Sequence, residues 1–243
     1  MSGTIALSRL EVRRALRNRR TMFFAILYPT LLFLAIGGSA KFTIDGISGK
    51  TYYLIAMASF GALGASLTTN ANKIALERKE GWTKQLKLTT LPGNGYVTAK
   101  LLSASVTTLL PIIVVFGIGA ASGVHLTALV WVKAAATIWV TSFAFIALGV
   151  AVGYAIPQDS VQMVSMIVYF AMAIAGGLWF PLGNGIIAKI GNWLPTYAAR
   201  DYTQSLIFGI HAKSMDLLVI AVWTVIAVLF AGLVYQRDTK IEA

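Results

Sequence analysis

An all-α integral membrane protein with six transmembrane helices is the fold class this sequence predicts, and three observations predict it. Hydrophobic residues make up 57% of the 243 positions and charged residues only 12%, about half the charged share of an ordinary globular domain. Six uncharged runs are each long enough to cross a bilayer, and Lys and Arg collect between those runs. A soluble fold of this length could not hide so much apolar surface, whereas a bilayer accommodates it.

Each run is judged against a hydrocarbon core of about 30 Å, which takes roughly 20 helical residues. Thr21 to Ala40 is the first and Thr51 to Asn72 the second. Leu101 to Val124 and Ala134 to Gln158 are the third and fourth. Ser160 to Ala188 contains the fifth, expected to end near Pro181, and Leu217 to Gln236 is the sixth. The runs are continuously apolar, whereas strands of a membrane barrel would be about ten residues long and alternating. The Arg-rich start, an apolar run and Gly38-Ser39-Ala40 imitate a leader peptide. The run exceeds the usual length of about 7–15 residues and further spans follow, so cleavage is not expected.

No Pro/Gly/Ser-rich linker divides the chain, and residues 1–243 read as one membrane domain. Within it, 1–20 form an interfacial helix, 73–99 a cytoplasmic loop and 182–215 an external hairpin or loop. The chain has no cysteine, which excludes disulfides and thiolate metal sites. A net charge of +11 would suggest nucleic acid in a soluble protein. Here the cations flank apolar runs, so topology explains them and no nucleic-acid partner is expected.

Fourteen Lys and Arg fall on the side of the N terminus and six on the other. The first group includes Arg9, Arg13, Arg14, Arg17, Arg19, Arg20, Lys73, Arg78, Lys79, Lys84, Lys87 and Lys100. The positive-inside rule then makes both termini cytoplasmic, as an even number of spans requires. In the helix before the first span, Ile5, Val12 and Leu16 share a rough stripe, but Leu7 and Leu10 lie off it. An interfacial helix with Arg side chains reaching lipid headgroups is expected there.

No ionisable side chain lies deep in a span, which argues against proton relays, voltage sensing and carriers coupled through a buried carboxylate. No catalytic residue and no metal site is expected: His125 and His211 fall in predicted loops without a partner pattern. Gly49-Lys50-Thr51 imitates the end of a phosphate-binding loop, but the required earlier glycine is Ile44. The chain carries no ATP site of its own.

Two segments ask for more than a membrane span. In the stretch from Glu77 to Pro92, Trp82 and Leu86 are spaced i, i+4, with Lys84 and Lys87 beside them. Gly81 can end the emerging helix, and Pro92-Gly93 can end a short second one. Docking in a partner's groove and packing on lipid are both open to such a helix. Later, Gly176-Gly177-Leu178-Trp179-Phe180-Pro181-Leu182 and Trp193-Leu194-Pro195-Thr196-Tyr197 suit short helices or a re-entrant hairpin at the outer interface.

These segments carry a resemblance. The chain resembles the membrane subunit of ABC-2 type transporters, the six-span permeases of ATP-binding-cassette exporters. Glu77, Arg78, Gly81, Leu86 and Pro92 match that family's entry into a cytoplasmic coupling helix. Phe180, Pro181 and Leu182 match the end of its fifth span, and Pro195, Tyr197, Ala198 and Arg200 the segment that follows. The family often has a further proline after Phe-Pro-Leu, where this chain reads Gly183-Asn184-Gly185.

The resemblance implies two permease chains, identical or homologous, around a pathway, with two ATPase subunits that bind ATP and magnesium. Trp82, Gln85 and Leu86 are the expected docking surface, with Glu77, Arg78, Lys84 and Lys87 supplying charge. Gln158 and Asp159 would add a smaller contact. Phe60, Thr68, Asn70, Met163, Met166, Tyr169 and Phe170 are pathway candidates, and Phe180, Pro181, Leu182, Trp193, Pro195, Tyr197 and Arg200 form the external hairpin. Core packing is the competing reading for each pathway residue. Gly149 and Gly153 are a small-xxx-small pair expected to pack within the subunit.

A hydrophobic or amphipathic drug or antibiotic moved outward across a bacterial cytoplasmic membrane is the expected activity, because Met and aromatic side chains make an adaptable apolar surface. A lipid or lipid-linked saccharide is the second substrate class. A stand-alone secondary carrier and an intramembrane enzyme are rivals that the missing buried charge and missing catalytic constellation disfavour.

Overall fold

The computed structural model describes residues 2–17, 23–44, 46–82, 85, 93–183, 185–208 and 214–241. Helix α1 (Ser2–Arg17) is followed by a π-helical turn (Phe23–Leu27), helix α2 (Tyr28–Ile36) and a 3-10 turn (Gly37–Ser39). A two-strand hairpin, β1 (Thr43–Ile44) against β2 (Ile47–Ser48), pairs Thr43 with Ser48 and Ile44 with Ile47. The long helices α3 (Gly49–Lys79), α4 (Gly93–Ala121), α5 (Ala128–Ala155) and α6 (Gln158–Ala175) come next. Short α7 (Ile186–Gly191), then α8 (Pro195–Phe208) and α9 (Ser214–Ile241), complete the chain.

Five helices, α3, α4, α5, α6 and α9, are long and apolar enough to cross a membrane. The first expected span is a shorter apolar stretch, Ala25–Ser39, whose winding changes from π to α to 3-10. The chain is an all-α multi-pass membrane protein.

Helix α3 is the axis. From Thr51 to Leu67 every residue is buried, because α4, α5 and α6 surround it and α2 and α8 close the remaining gaps. Lipid tails are as apolar as leucine, so close packing rather than escape from water must hold such helices together. Glycine permits that closeness. A Cβ on Gly149 would lie 2.6 Å from the Leu67 carbonyl, and one on Gly153 2.8 Å from that of Ala71. The small-residue pair therefore packs within the subunit, α5 on α3. Three polar residues of α3 bond back onto their own helix: Ser66 donates to Ala62, Thr68 to Gly64 and Asn70 to Ser66.

Cross-chain contacts define two ends. At one, Arg78 donates to the Gly153 carbonyl at 3.1 Å, Lys79 pairs with Asp159 at 2.9 Å, and the rings of Tyr154 and Tyr235 lie 5.3 Å apart. At the other, Lys50 donates to the Ser122 carbonyl. Glu11 of α1 pairs with Lys73 toward the first of these ends, so α1 and the C-terminal part of α9 lie at the same end, which we call the basic end.

Two elements end where the sequence did not suggest. Helix α6 stops at Ala175 rather than near Pro181. Gly177 adopts φ +71°, its N–H bonds to Ile174, and that of Leu178 bonds to Ala173. This closing pattern satisfies the last carbonyls with a left-handed glycine and needs no proline. At the other helix, Gly49-Lys50-Thr51 is the first turn of α3, capped by the Ser48 hydroxyl accepting from the Thr51 N–H at 3.3 Å.

The α3–α5 contact gives a direct test. Gly149→Ala forces a methyl group against the Leu67 backbone and should cost about 1–3 kcal/mol, lowering the apparent melting temperature of the detergent-solubilised protein. Gly232→Ala, on α9 with nothing within 4 Å of the new Cβ, should leave it unchanged or slightly raised. Equal melting temperatures for the two variants would refute the packing.

Candidate functional site

Three sites lie along α3, and the first is ionic. Glu11 of α1 is fully buried, with 0% of its surface exposed. Its carboxylate pairs with Lys73 of α3 and, at 3.1 Å, with Lys100 of α4; Lys100 also pairs with Glu77. Lys73 reaches Ser103 of α4 at 3.4 Å. Two carboxylates and two ammonium groups from three helices therefore balance, as burial of charge demands.

The stripe of α1 that is buried is Leu7, Glu11 and Ala15, and Ile5 is 65% exposed. That corrects the expected stripe: Ile5 is exposed and Val12 half-buried, while Leu7, expected off the stripe, is buried on the face of Glu11. Sequence reasoning missed Glu11. The available signal was that it is the sole acidic residue among the first 44.

Of the residues expected to dock a partner, Glu77 is buried toward Lys100, and Arg78 lies over the Tyr154 ring at 5.7 Å. Glu77 is buried and Arg78 half-buried, each engaged within the subunit. Gly81, at φ +64°, ends the α3 stem. Trp82 is half-buried under Arg14 of α1, whose guanidinium carbon lies 5.0 Å from the ring. Gln85 is exposed, as is Asp159, and Lys79 joins Gln158 and Asp159. Lys84, Leu86, Lys87 and Pro92 lie outside the described residues.

The second site is aromatic. Phe60 of α3 stacks on Tyr169 of α6 with centroids 4.5 Å apart, and Phe170 lies 5.1 Å from Tyr169 and 6.2 Å from Phe60. Tyr28 of α2 and Trp179, 5.9 Å from both Phe60 and Phe170, complete the group. Tyr169 donates to the Phe60 carbonyl at 3.2 Å, which fixes the stack across α3 and α6. Three of the seven pathway candidates are therefore together. Thr68 and Asn70 bond along their own helix, Met166 is half-buried, and Met163 is 63% exposed on the outer face of α6. Tyr28 and Trp179 went unnoticed because aromatic residues far apart in sequence carry no spacing signal.

The third site is the hairpin at the far end. Arg200 of α8, only 4% exposed, donates to the Tyr52 hydroxyl at 2.6 Å and to the Gly177 carbonyl at 2.7 Å. Tyr52 donates to the same carbonyl at 2.5 Å. The guanidinium also lies over the rings of Tyr52 and Tyr197, at 5.2 and 4.7 Å. Thr196 donates to the Met172 carbonyl at 2.8 Å, in the space left by Gly176. Pro195 begins α8, Pro181 and Leu182 are half-buried, and Phe180 and Trp193 are exposed. Helices α7 and α8 fold back so that α8 packs among α3, α5 and α9.

The sequence matches the family of ABC-2 family transporter proteins over residues 43–235. A protein of Bacillus subtilis that carries the provisional name transport permease YvfS is 24% identical over 235 residues, covering 95% of this chain and 96% of the relative.

The ionic site predicts a pH response. Burial alone would push the Glu11 carboxyl up, but the Lys100 and Lys73 ammonium groups outweigh it and hold it below the usual carboxylate range. A carboxyl lowered by folding stabilises the docked helix above its unfolded pKa of about 4, and that stabilisation is lost as pH falls through the lower folded value. Spin labels at Ile5→Cys and Leu101→Cys, both exposed positions in a cysteine-free chain, should report one narrow distance at neutral pH. The distribution should broaden only below about pH 4; broadening that begins near neutrality would contradict the assignment.

Proposed function

This chain belongs to the ABC-2 transporter family, and on that premise we propose that it is the membrane half of an exporter for hydrophobic or amphipathic compounds. As a transport subunit it works with an ABC ATPase. In the reading proposed, two ATPase copies bind ATP and magnesium and dock at the basic end, which faces the cytoplasm of a bacterial cell with both termini. Two permease chains, identical or homologous, flank the pathway.

The aromatic group of Tyr28, Phe60, Tyr169, Phe170 and Trp179 carries the substrate reading. Within it, Phe170 shares one face of α6 with the exposed Met163, Ile167 and Ile174. Aromatic faces and methionine give contacts that adapt to apolar molecules of varied shape. Lipid or a lipid-linked saccharide remains the second substrate class. Docking falls to the segment after Gly81, with Gln85 and Leu86 as its surface and Lys84 and Lys87 as its charges. Trp82 and Pro92 would brace that segment, and Gln158 and Asp159 would add a second contact.

Reconstitution with the cognate ATPase tests this in two parts. Leu86→Asp should weaken complex formation at least about tenfold, the effect of losing one interface anchor, measured by co-purification. Phe170→Ala should leave the complex intact and change which hydrophobic dyes are extruded from vesicles. Unchanged complex formation would remove the docking assignment, and an unchanged dye profile would remove the pathway assignment.

A further inference from the structure

The docking segment hangs between two stems, the end of α3 at Lys79 and the start of α4 at Gly93. Lys73 lies six residues before the first boundary and Lys100 seven after the second. A single side chain of a third helix, Glu11 of α1, joins both lysines. The same helix, one turn further on, lays Arg14 over Trp82, at the point where the segment leaves α3. Helix α1 therefore grips both stems and one edge of the segment, and packs along α4 between those contacts.

We propose that Glu11 is the positioning residue that makes α1, α3 and α4 move as one body when the docking segment is displaced, so that ATPase motion reaches the spans. The inference rests on the reading that an ATPase docks at this segment. Without the carboxylate, a push on the segment is absorbed by splaying of the two stems, since Lys73 and Lys100 lose the anion with which both of them pair. With it, splaying requires separating buried opposite charges, which low polarity makes costly. The two stems are held to each other by charge, whereas the middle of α3 is held by apolar contact.

The test measures dye extrusion and ATP hydrolysis together in vesicles containing the permease–ATPase complex. Glu11→Gln keeps the shape and removes the charge. It should leave assembly and ATP hydrolysis in place while lowering dye moved per ATP by at least about fivefold, the low end of a site-to-site coupling. Glu11→Asp, which keeps the charge on a shorter arm, should recover part of that ratio. A purely structural role would lower assembly, hydrolysis and extrusion in proportion, leaving the ratio constant, and that outcome overturns the proposal. An unchanged ratio at full activity does the same. If the wild-type chain forms no complex with the ATPase, the docking reading fails first, and that failure is visible before any Glu11 variant is examined.

Discussion

Helix α3 must be packed on every side in an environment that supplies no hydrophobic drive toward packing, and most other features of the structure answer that requirement. Its neighbours come close only where side chains are absent, as where Gly149 and Gly153 of α5 meet its carbonyls. Gly61 makes the reciprocal concession: a Cβ there would lie 2.7 Å from both the Ala25 carbonyl and Pro111. Midway along α3 the side chains of Ser66, Thr68 and Asn70 turn back onto the helix, whereas the Tyr52 hydroxyl near its start reaches across to Gly177. An unsatisfied group would be costly where water cannot reach.

Along this one helix the chemistry changes by zone. The end near Lys73 and Glu77 is ionic, the stretch near Phe60 is aromatic, and the start near Tyr52 is a hydrogen-bonded junction with Arg200. Each zone also recruits a different neighbour: α1 and α4 for the charges, α6 and α2 for the rings, α8 for the junction. A displacement of α3 is consequently felt at all three. By contrast α9, mostly exposed, packs on α5 and α8, and lies outside that sequence of contacts.

Much of this was legible in the sequence. Long apolar runs name spans because a bilayer imposes a length. The left-handed Gly81 that ends α3 was readable because few other residues fit there. What was not legible depended on partners distant in sequence. Glu11 reads as one acid among arginines until Lys73 and Lys100 are placed around it. Arg200 was visible, but its contacts with Tyr52 and Gly177 were not. The end of α6 was misplaced because proline is a louder signal than a glycine pair, although Gly176-Gly177 closes the helix first. The residues expected to dock a partner, Lys84, Leu86, Lys87 and Pro92, lie outside the described residues.

The junction at Arg200 has a consequence for how this chain can vary. Tyr52, Gly177 and Arg200 come from three separate stretches, yet one guanidinium serves the hydroxyl of one and the carbonyl of another. A side chain at Gly177 would sit 2.4 Å from that guanidinium, and lysine could not replace its planar fork. These three positions are thus a single unit of inheritance. Engineering that swaps the hairpin between related chains has to carry Tyr52 along with it, although Tyr52 belongs to α3.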